Sequence, residues 1–442
     1  MPEMLEPLYT ADEARAAEQG HDVGELMERA GAALAREVLA RYPDARRIAV
    51  VCGGGSNGGD GRIAARILRE AGRDAVETTA VEQADVIVDA LFGTGFRGRP
   101  RDEAAATIAR INAATAPVVA VDVPSGVDAS TGEVAADAVR AELTVTFHGR
   151  KVGLAVAPGL FHAGEVVVAD IGLAELDTEH RLVTPALLSL VPGRRPEDSK
   201  YTAGSVLVAG GAPGMTGAAR LAATAAFRAD AGYVALAVPE PSLPVAEATL
   251  LEPVKVSWGN ALEAAVKVRT LAIGPGLGRD AAAGQIRGQL LGAGEHTLVL
   301  DADALHGLEP GDWGARAVLT PHAGELARLL GEDSAWIGAH RLEAVQRGAD
   351  RFGCVCLLKG ADTIVAAPGQ GVLVVVAEAP GLASAGTGDV LTGIIAAFLA
   401  KGIEPRLAAA AAAVAHALAA RSLPQRGLVA SDVVEALPGV LP

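Results

Sequence analysis

Short, unbroken runs rich in valine recur along this chain, and they constrain its fold more than any other feature. The first of them are residues 48–52, 86–91, 118–121, 143–147 and 166–171. Such runs suit strands covered on both faces, the condition of a parallel sheet layered between helices. The pattern restarts beyond a polar stretch at 192–200, taken as a linker, with strand-like segments at 205–209, 233–238, 271–273, 297–300, 317–319, 355–358, 363–366 and 372–376. Turns at 359–362 and 368–371 make 355–376 an antiparallel portion. At 442 residues the chain exceeds what one hydrophobic core sustains. Two α/β domains are therefore expected, 1–190 and 191–442, with no repeat relating them.

Upstream of the first run, Thr10 with Glu13 and Asp22 with Glu25 read as capping boxes, so two helices are expected before the first strand. Aromatics make up only 3% of the residues, so packing must rely on close approach of small and β-branched side chains. A formal net charge of −15 argues against nucleic acid or an anionic membrane as partner and favours a small molecule. Cys52, Cys354 and Cys356 build no disulfide framework, which suits a reducing, cytoplasmic setting. The N-terminal residues lack the apolar core of a secretory signal, and the alanine-rich stretch 407–420 falls short of a membrane span.

Two glycine clusters carry the functional signal. GGGSNGGDG at 53–61 precedes an amphipathic stretch at 62–70, and ASAGTGDVLTG at 383–393 leads into a helical stretch at 390–399. Each opens a helix whose free N–H groups suit an anion, and each ends on an aspartate, Asp60 or Asp389, that a passive phosphate cradle would not need. Asp89 and Asp122 end successive strands, at the edge where open α/β sheets bind ligands. With Asn57 and Ser125 they would form a cluster of oxygen donors, beside the guanidinium groups of Arg97 and Arg99. Asp389, next to Gly386, Thr387 and Gly388, combines an anion hole with a proton acceptor, as phosphoryl transfer to a hydroxyl requires. The competing reading for each is structural, since Asp, Ser and His cap helices and turns routinely. His148, His306 and His416 have no motif around them, and no spacing suits zinc.

The segments NGGDG, DALFGTGFRG and VDVPSGVDA, with MERAG and TFHGRKVGL, resemble in order the NAD(P)H-hydrate epimerases, over residues 10–175. IGPGLG, DADAL, LTPHAGE, LLKGADT and GTGD resemble the ADP-dependent NAD(P)H-hydrate dehydratases, over residues 195–440. The resemblance implies a Rossmann-like three-layer α/β/α domain followed by a ribokinase-like α/β domain. It implies a potassium site at Asn57, Asp89 and Ser125, and epimerase substrate contacts from Ser56, Asn57, Gly58, Gly59, Asp60, Gly93, Thr94, Gly95, Phe96, Arg97, Gly98, Arg99 and Asp122. In the second domain it implies hydrate contacts from Ala218, Gly276, His322 and Asp389, and nucleotide contacts from Lys359, Gly360, Ala361, Asp362, Thr363 and Gly388.

The implied chemistry is repair of NADHX and NADPHX, nicotinamides hydrated at C6. Asp122 shuttles a proton as R and S forms interconvert, and ADP phosphorylates the S hydroxyl, with Asp389 as base, so that phosphate can leave. Mg²⁺ is expected on the nucleotide phosphates, with Asp301 and Glu325 as candidates to hold it through water. A homo-oligomer is implied by family analogy alone. Two departures stand out: Ser56 where the family usually has Asn, and Ala385 where it commonly has Gly. The rival readings are a sugar or vitamin kinase on the same second fold, and a nucleotide-binding sensor without turnover.

Overall fold

The computed structural model describes residues 3–442, which fall into two compact units. The first holds residues 7–181 with 338–342; the second holds residues 3–6, 182–337 and 343–442.

The first unit is built on a parallel sheet whose strands lie in the spatial order Asp74–Glu77, Arg47–Cys52, Val86–Ala90, Val118–Val121, Leu143–Phe147, Glu165–Ala169. Both faces are covered, as the continuous apolar runs require. Leu34, Val38, Ile48, Val50 and Leu68 fill one side, and Val51, Ile87, Ile108 and Ile111 the other. Thr10 forms the full capping box with Glu13; Asp22 caps its helix by accepting from the Glu25 N–H, without the reciprocal bond. A strand, Leu5–Tyr9, precedes both helices, correcting the expectation that none would. Its polar start gives no run to read, and its place depends on Leu8 and Tyr9 pairing with Arg150 and Lys151.

The second unit has the order Val254–Ser257, Tyr233–Val238, Ser205–Ala209, Thr270–Ile273, Thr297–Leu300, Ala317–Leu319, Val355–Leu358, Asp362–Ala366, Leu373–Val376. Pairing is parallel as far as Val355–Leu358, and the last two strands join antiparallel, as their turns predict. Small residues let helices touch backbone to backbone. A Cβ on Gly393 would come within 2.2 Å of the Ala222 carbonyl oxygen, so the helices Thr216–Arg228 and Thr387–Ala400 tolerate no larger residue there. The stretch 407–420 lies in the helix Pro405–Arg421, buried in the same core. Among the described residues no helix is long and apolar enough to cross a membrane.

Besides Leu5–Tyr9, four short strands escaped the sequence: Asp74–Glu77, Arg150–Lys151, His180–Val183 and Val254–Ser257. Asp74–Glu77 shows why, since at the sheet edge it buries a single residue, Ala75. The glycine-rich helices also begin earlier than expected, at Ser56 and Thr387. Asn57, Gly58, Gly59 and Asp60 therefore form the first helical turn.

Candidate active sites

In the first unit, the carboxyl ends of the strands and the helix Ser56–Glu70 enclose a cavity of about 950 Å³. Ser56, Asn57, Asp60, Gly93, Thr94, Gly95, Phe96, Arg97, Arg99 and Asp122 line it. Gly58, Gly59 and Gly98 do not. A Cβ on Gly58 would come within 2.0 Å of the Gly53 oxygen, and one on Gly59 within 1.9 Å of the Met27 methyl. Close packing thus requires glycine at both positions, in the first turn of the helix. Gly54 and Gly55, of the same cluster, face the cavity with nothing within 4 Å of their Cβ positions.

Asp89, Ser125 and Asn57 come together beneath this cavity, around the backbone of Phe92. Ser125 donates its backbone N–H to Asp89 Oδ2 (2.8 Å) and its hydroxyl to Asp89 Oδ1 (2.7 Å), and its Oγ accepts the Phe92 N–H. Asn57 donates Nδ2 to the Phe92 oxygen at 2.8 Å, and its Oδ1 accepts no hydrogen bond among the described residues. Asp89 is 0% exposed, yet its partners are dipoles only. Burial pushes its carboxyl up to about 6, against the bonds from Ser125 and Leu91. A desolvated carboxylate beside a free amide oxygen and a serine hydroxyl is a donor set that fits a hard monovalent cation.

Asp122 follows its strand with a left-handed backbone, φ 64°. Its Oδ1 accepts Lys151 Nζ at 2.5 Å, Thr146 Oγ1 at 2.9 Å and the Phe147 N–H at 3.3 Å, while Oδ2 takes none of these. Lys151 also donates to Thr146 Oγ1 and the Phe147 oxygen. Sequence reasoning missed Lys151 as a site residue, although it lies in the segment TFHGRKVGL. Only the two-residue strand Arg150–Lys151 brings it back to Asp122. Asp60, buried nearby, accepts no hydrogen bond among the described residues. Its carboxyl is pushed up to about 8 by burial first, then by Asp122 and Glu18, with Lys151 opposing.

In the second unit, Gly386 takes φ 89° and opens the helix Thr387–Ala400, which places Asp389 in the first turn among N–H groups with no helical partner. Burial and then Asp301 push the Asp389 carboxyl up to about 7, with Lys359 opposing. Lys359 Nζ donates to Asp301 Oδ1 at 2.7 Å and lies 3.8 Å from Glu325 Oε2. Burial works against its charge, but Asp301 and Glu325 outweigh that and hold the ammonium above its ordinary value. A Cβ on Gly388 would lie 3.4 Å from Lys359 Nζ, so the lysine faces the anion-binding turn.

The remaining expected residues divide. Ala218 and Gly276 adjoin, a Cβ on Gly276 lying 3.2 Å from that of Ala218. His322 caps the helix Ala323–Leu330 through Nδ1, with Glu325 closing the box; its side chain is 55% exposed, open to a ligand as well. Gly360 and Ala361 lie between the strands ending at Leu358 and starting at Asp362, and Thr363 Oγ1 donates to the Gly360 oxygen. Asp362 is 1% exposed. Asp301 accepts from Lys359 on Oδ1 and from Thr392 on Oδ2, and is 1% exposed. Among the described residues no cluster of three His, Cys, Asp or Glu groups suits a metal ion.

Residues 206–438 match the family model described as NAD(P)H-hydrate dehydratase, and residues 23–83 and 73–153 match that of the YjeF-related protein N-terminus. The chain is 39% identical to a bifunctional NAD(P)H-hydrate repair enzyme of Moorella thermoacetica, over 94% of this chain and 92% of that one. With its counterpart in Escherichia coli it shares 34% identity, over 97% and 93% of the two. Among solved structures, an ADP/ATP-dependent NAD(P)H-hydrate dehydratase from Bacillus subtilis, co-crystallised with ATP and Mg²⁺, is 30% identical with a TM-score of 0.53, covering 58% of this chain and 96% of that one. A ribokinase-like superfamily protein from Enterococcus faecalis reaches a TM-score of 0.55 at 27% identity, covering 61% and 97%.

Proposed function

The chain belongs to the bifunctional NAD(P)H-hydrate repair enzymes, and on that premise we propose how its residues divide the two reactions. The first unit interconverts the R and S forms of the hydrate, and the second dehydrates the S form at the expense of ADP. The observation that carries this division is the different company of the two glycine turns: Asp60 and Asp122 with Lys151 at the first, Asp389 with Lys359 at the second.

Epimerisation requires the C6–O bond to break as the ring nitrogen donates its electron pair, and to re-form on the other side. Asp122 suits the proton transfers, one oxygen anchored by Lys151 and Thr146 and the other uncommitted. Asn57, Asp89 and Ser125 would hold potassium, which when bound neutralises the buried Asp89 carboxylate and fixes the loop through Phe92.

In the second unit Asp389 takes the proton of the C6 hydroxyl as that oxygen attacks the terminal phosphorus of ADP, releasing AMP. The N–H groups of residues 387–389 and the Lys359 ammonium face the charge that develops on the phosphoryl oxygens. Phosphate then leaves C6 with the C–O electron pair, C5 gives up a proton, and the dihydropyridine is restored. Magnesium would sit with the nucleotide phosphates, whose charge it neutralises when bound.

Recovery of absorbance at 340 nm from mixed R and S hydrate, with ADP or ATP, tests the division. Asp389→Asn should abolish recovery, whereas Asp122→Asn should consume the S fraction quickly and the R fraction slowly. Accumulation of a stable phosphomonoester would indicate a kinase, and equal rates in all three proteins would sink both assignments.

A further inference from the structure

Resting on the epimerase reading, we propose that Asp60 is the second catalytic carboxyl of the first site: Asp60 protonates the departing C6 hydroxyl, and Asp122 takes the proton from the water that adds back. Three observations support this, none of which concerns Asp122 alone.

The first is position. Asp60 stands on the helix that follows Arg47–Cys52, and Asp122 follows Val118–Val121, with the strand Val86–Ala90 between them. The two carboxyls thus enter one cavity from separated strand ends, as inversion at a single carbon needs. The second is wiring. Asp122 Oδ1 holds three donors including the Lys151 ammonium, whereas Asp60 accepts no hydrogen bond and forms no ion pair among the described residues. The third is the local field. The charged groups acting on Asp60 are Asp122, Glu18 and Lys151, two of the three negative, while the packed helix Val23–Arg41 turns the uncharged Leu26, Met27 and Ala30 to the cavity. Burial and that field keep its proton on up to about pH 8. Two carboxyls held apart in this way mark an acid and a base.

The steps balance. Asp60 gives its proton to the C6 oxygen, the C6–O bond breaks, and the ring nitrogen's electron pair forms a C=N⁺ bond, leaving water and the Asp60 carboxylate. Water then bonds C6 from the Asp122 side, its proton passes to Asp122, and the electron pair returns to nitrogen. One proton has moved from Asp60 to Asp122, so the site is set for the reverse reaction with roles exchanged. Solvent in the cavity resets it.

The test follows interconversion of separated R and S hydrate by chromatography, with nucleotide omitted so that the second unit stays idle, in the full chain from pH 6 to 9. The wild-type rate should fall above about pH 8. Asp60→Asn, nearly isosteric and folded by its melting curve, should lose roughly 100-fold in rate and show no alkaline fall; Asp60→Glu should regain part of both. A rate for Asp60→Asn within about threefold of wild type, or an unchanged alkaline limb in that variant, would overturn the assignment, because general acid catalysis is worth roughly 100-fold or more. Wild-type protein that interconverts nothing at any pH, yet dehydrates S hydrate with ADP, would instead overturn the epimerase reading beneath it.

Discussion

Lys151 Nζ lies 2.5 Å from Asp122 Oδ1, and the two side chains are 4% and 13% exposed. Removing one partner leaves the other charge stranded in a desolvated wall, at a cost of about 3 kcal/mol. Lys151→Met should therefore lower the denaturation midpoint and, because Asp122 loses its anchor, slow epimerisation by roughly 100-fold. Denaturant titration and the nucleotide-free epimer assay check the two parts. Dehydration of pure S hydrate should be unchanged.

The dehydratase should gain activity as pH rises to about 7, where Asp389 loses its proton and becomes a base. Lys359 lowers that value, so Lys359→Met should move the limb to higher pH as well as reduce the rate. A rate–pH profile with saturating ADP separates these effects; a limb that stays in place in Lys359→Met would contradict the coupling.

Asp89 sits at about 6, above its ordinary 3.8, so its ionisation costs stability as pH rises through that window. A cation that binds the ionised form offsets the cost, and the proton competes with it. Potassium should therefore raise the melting temperature more at pH 8 than at pH 5, against tetramethylammonium at equal ionic strength. The gain at a hundredfold excess over Kd is about 2.7 kcal/mol, and it should vanish in Asp89→Asn.

His416 is buried, its Nε2 has no hydrogen-bond partner among the described residues, and burial lowers the imidazole to about 4 from 6.5. The neutral form is favoured in the fold, so its contribution is complete above pH 6.5 and is lost as pH falls through 4. The loss is about 3 kcal/mol. Equilibrium unfolding of wild type and His416→Leu at pH 7 and pH 4 should show a smaller acid penalty in the variant.

Glycine substitutions inside helices should divide by what lies opposite. Gly284 in the helix Ala281–Leu291 has nothing within 4 Å of its Cβ position, so Gly284→Ala should stabilise by about 0.5–1 kcal/mol. Gly58→Ala would drive a methyl against the Gly53 oxygen, and should cost about 2 kcal/mol despite the better helix propensity. Melting temperatures moving in opposite directions are the expected result.

Strands buried on both faces were legible because most residues in them are apolar and β-branched, and that information is local. Edge strands such as Asp74–Glu77 bury one side chain and leave no such trace. The site was legible to the same depth. Aspartates at strand ends and glycines before helices announce themselves by their neighbours, so Asp89, Asp122 and Asp389 could be singled out from the chain. The packing demand on each glycine could not, because it depends on Gly53 and Met27 lying against Gly58 and Gly59.

The amino-acid sequence by itself determined two α/β units, their glycine turns and the carboxylates beside them, because these follow from hydrophobic pattern and turn chemistry within a few residues. Only the tertiary structure decided the state of those carboxylates. Lys151 reaches Asp122 through a two-residue strand, Lys359 and Thr392 both donate to Asp301, and among the described residues no donor reaches the Asp60 carboxyl. Protonation, and with it the choice between acid, base and bystander, depends on desolvation and on charges brought close by the fold.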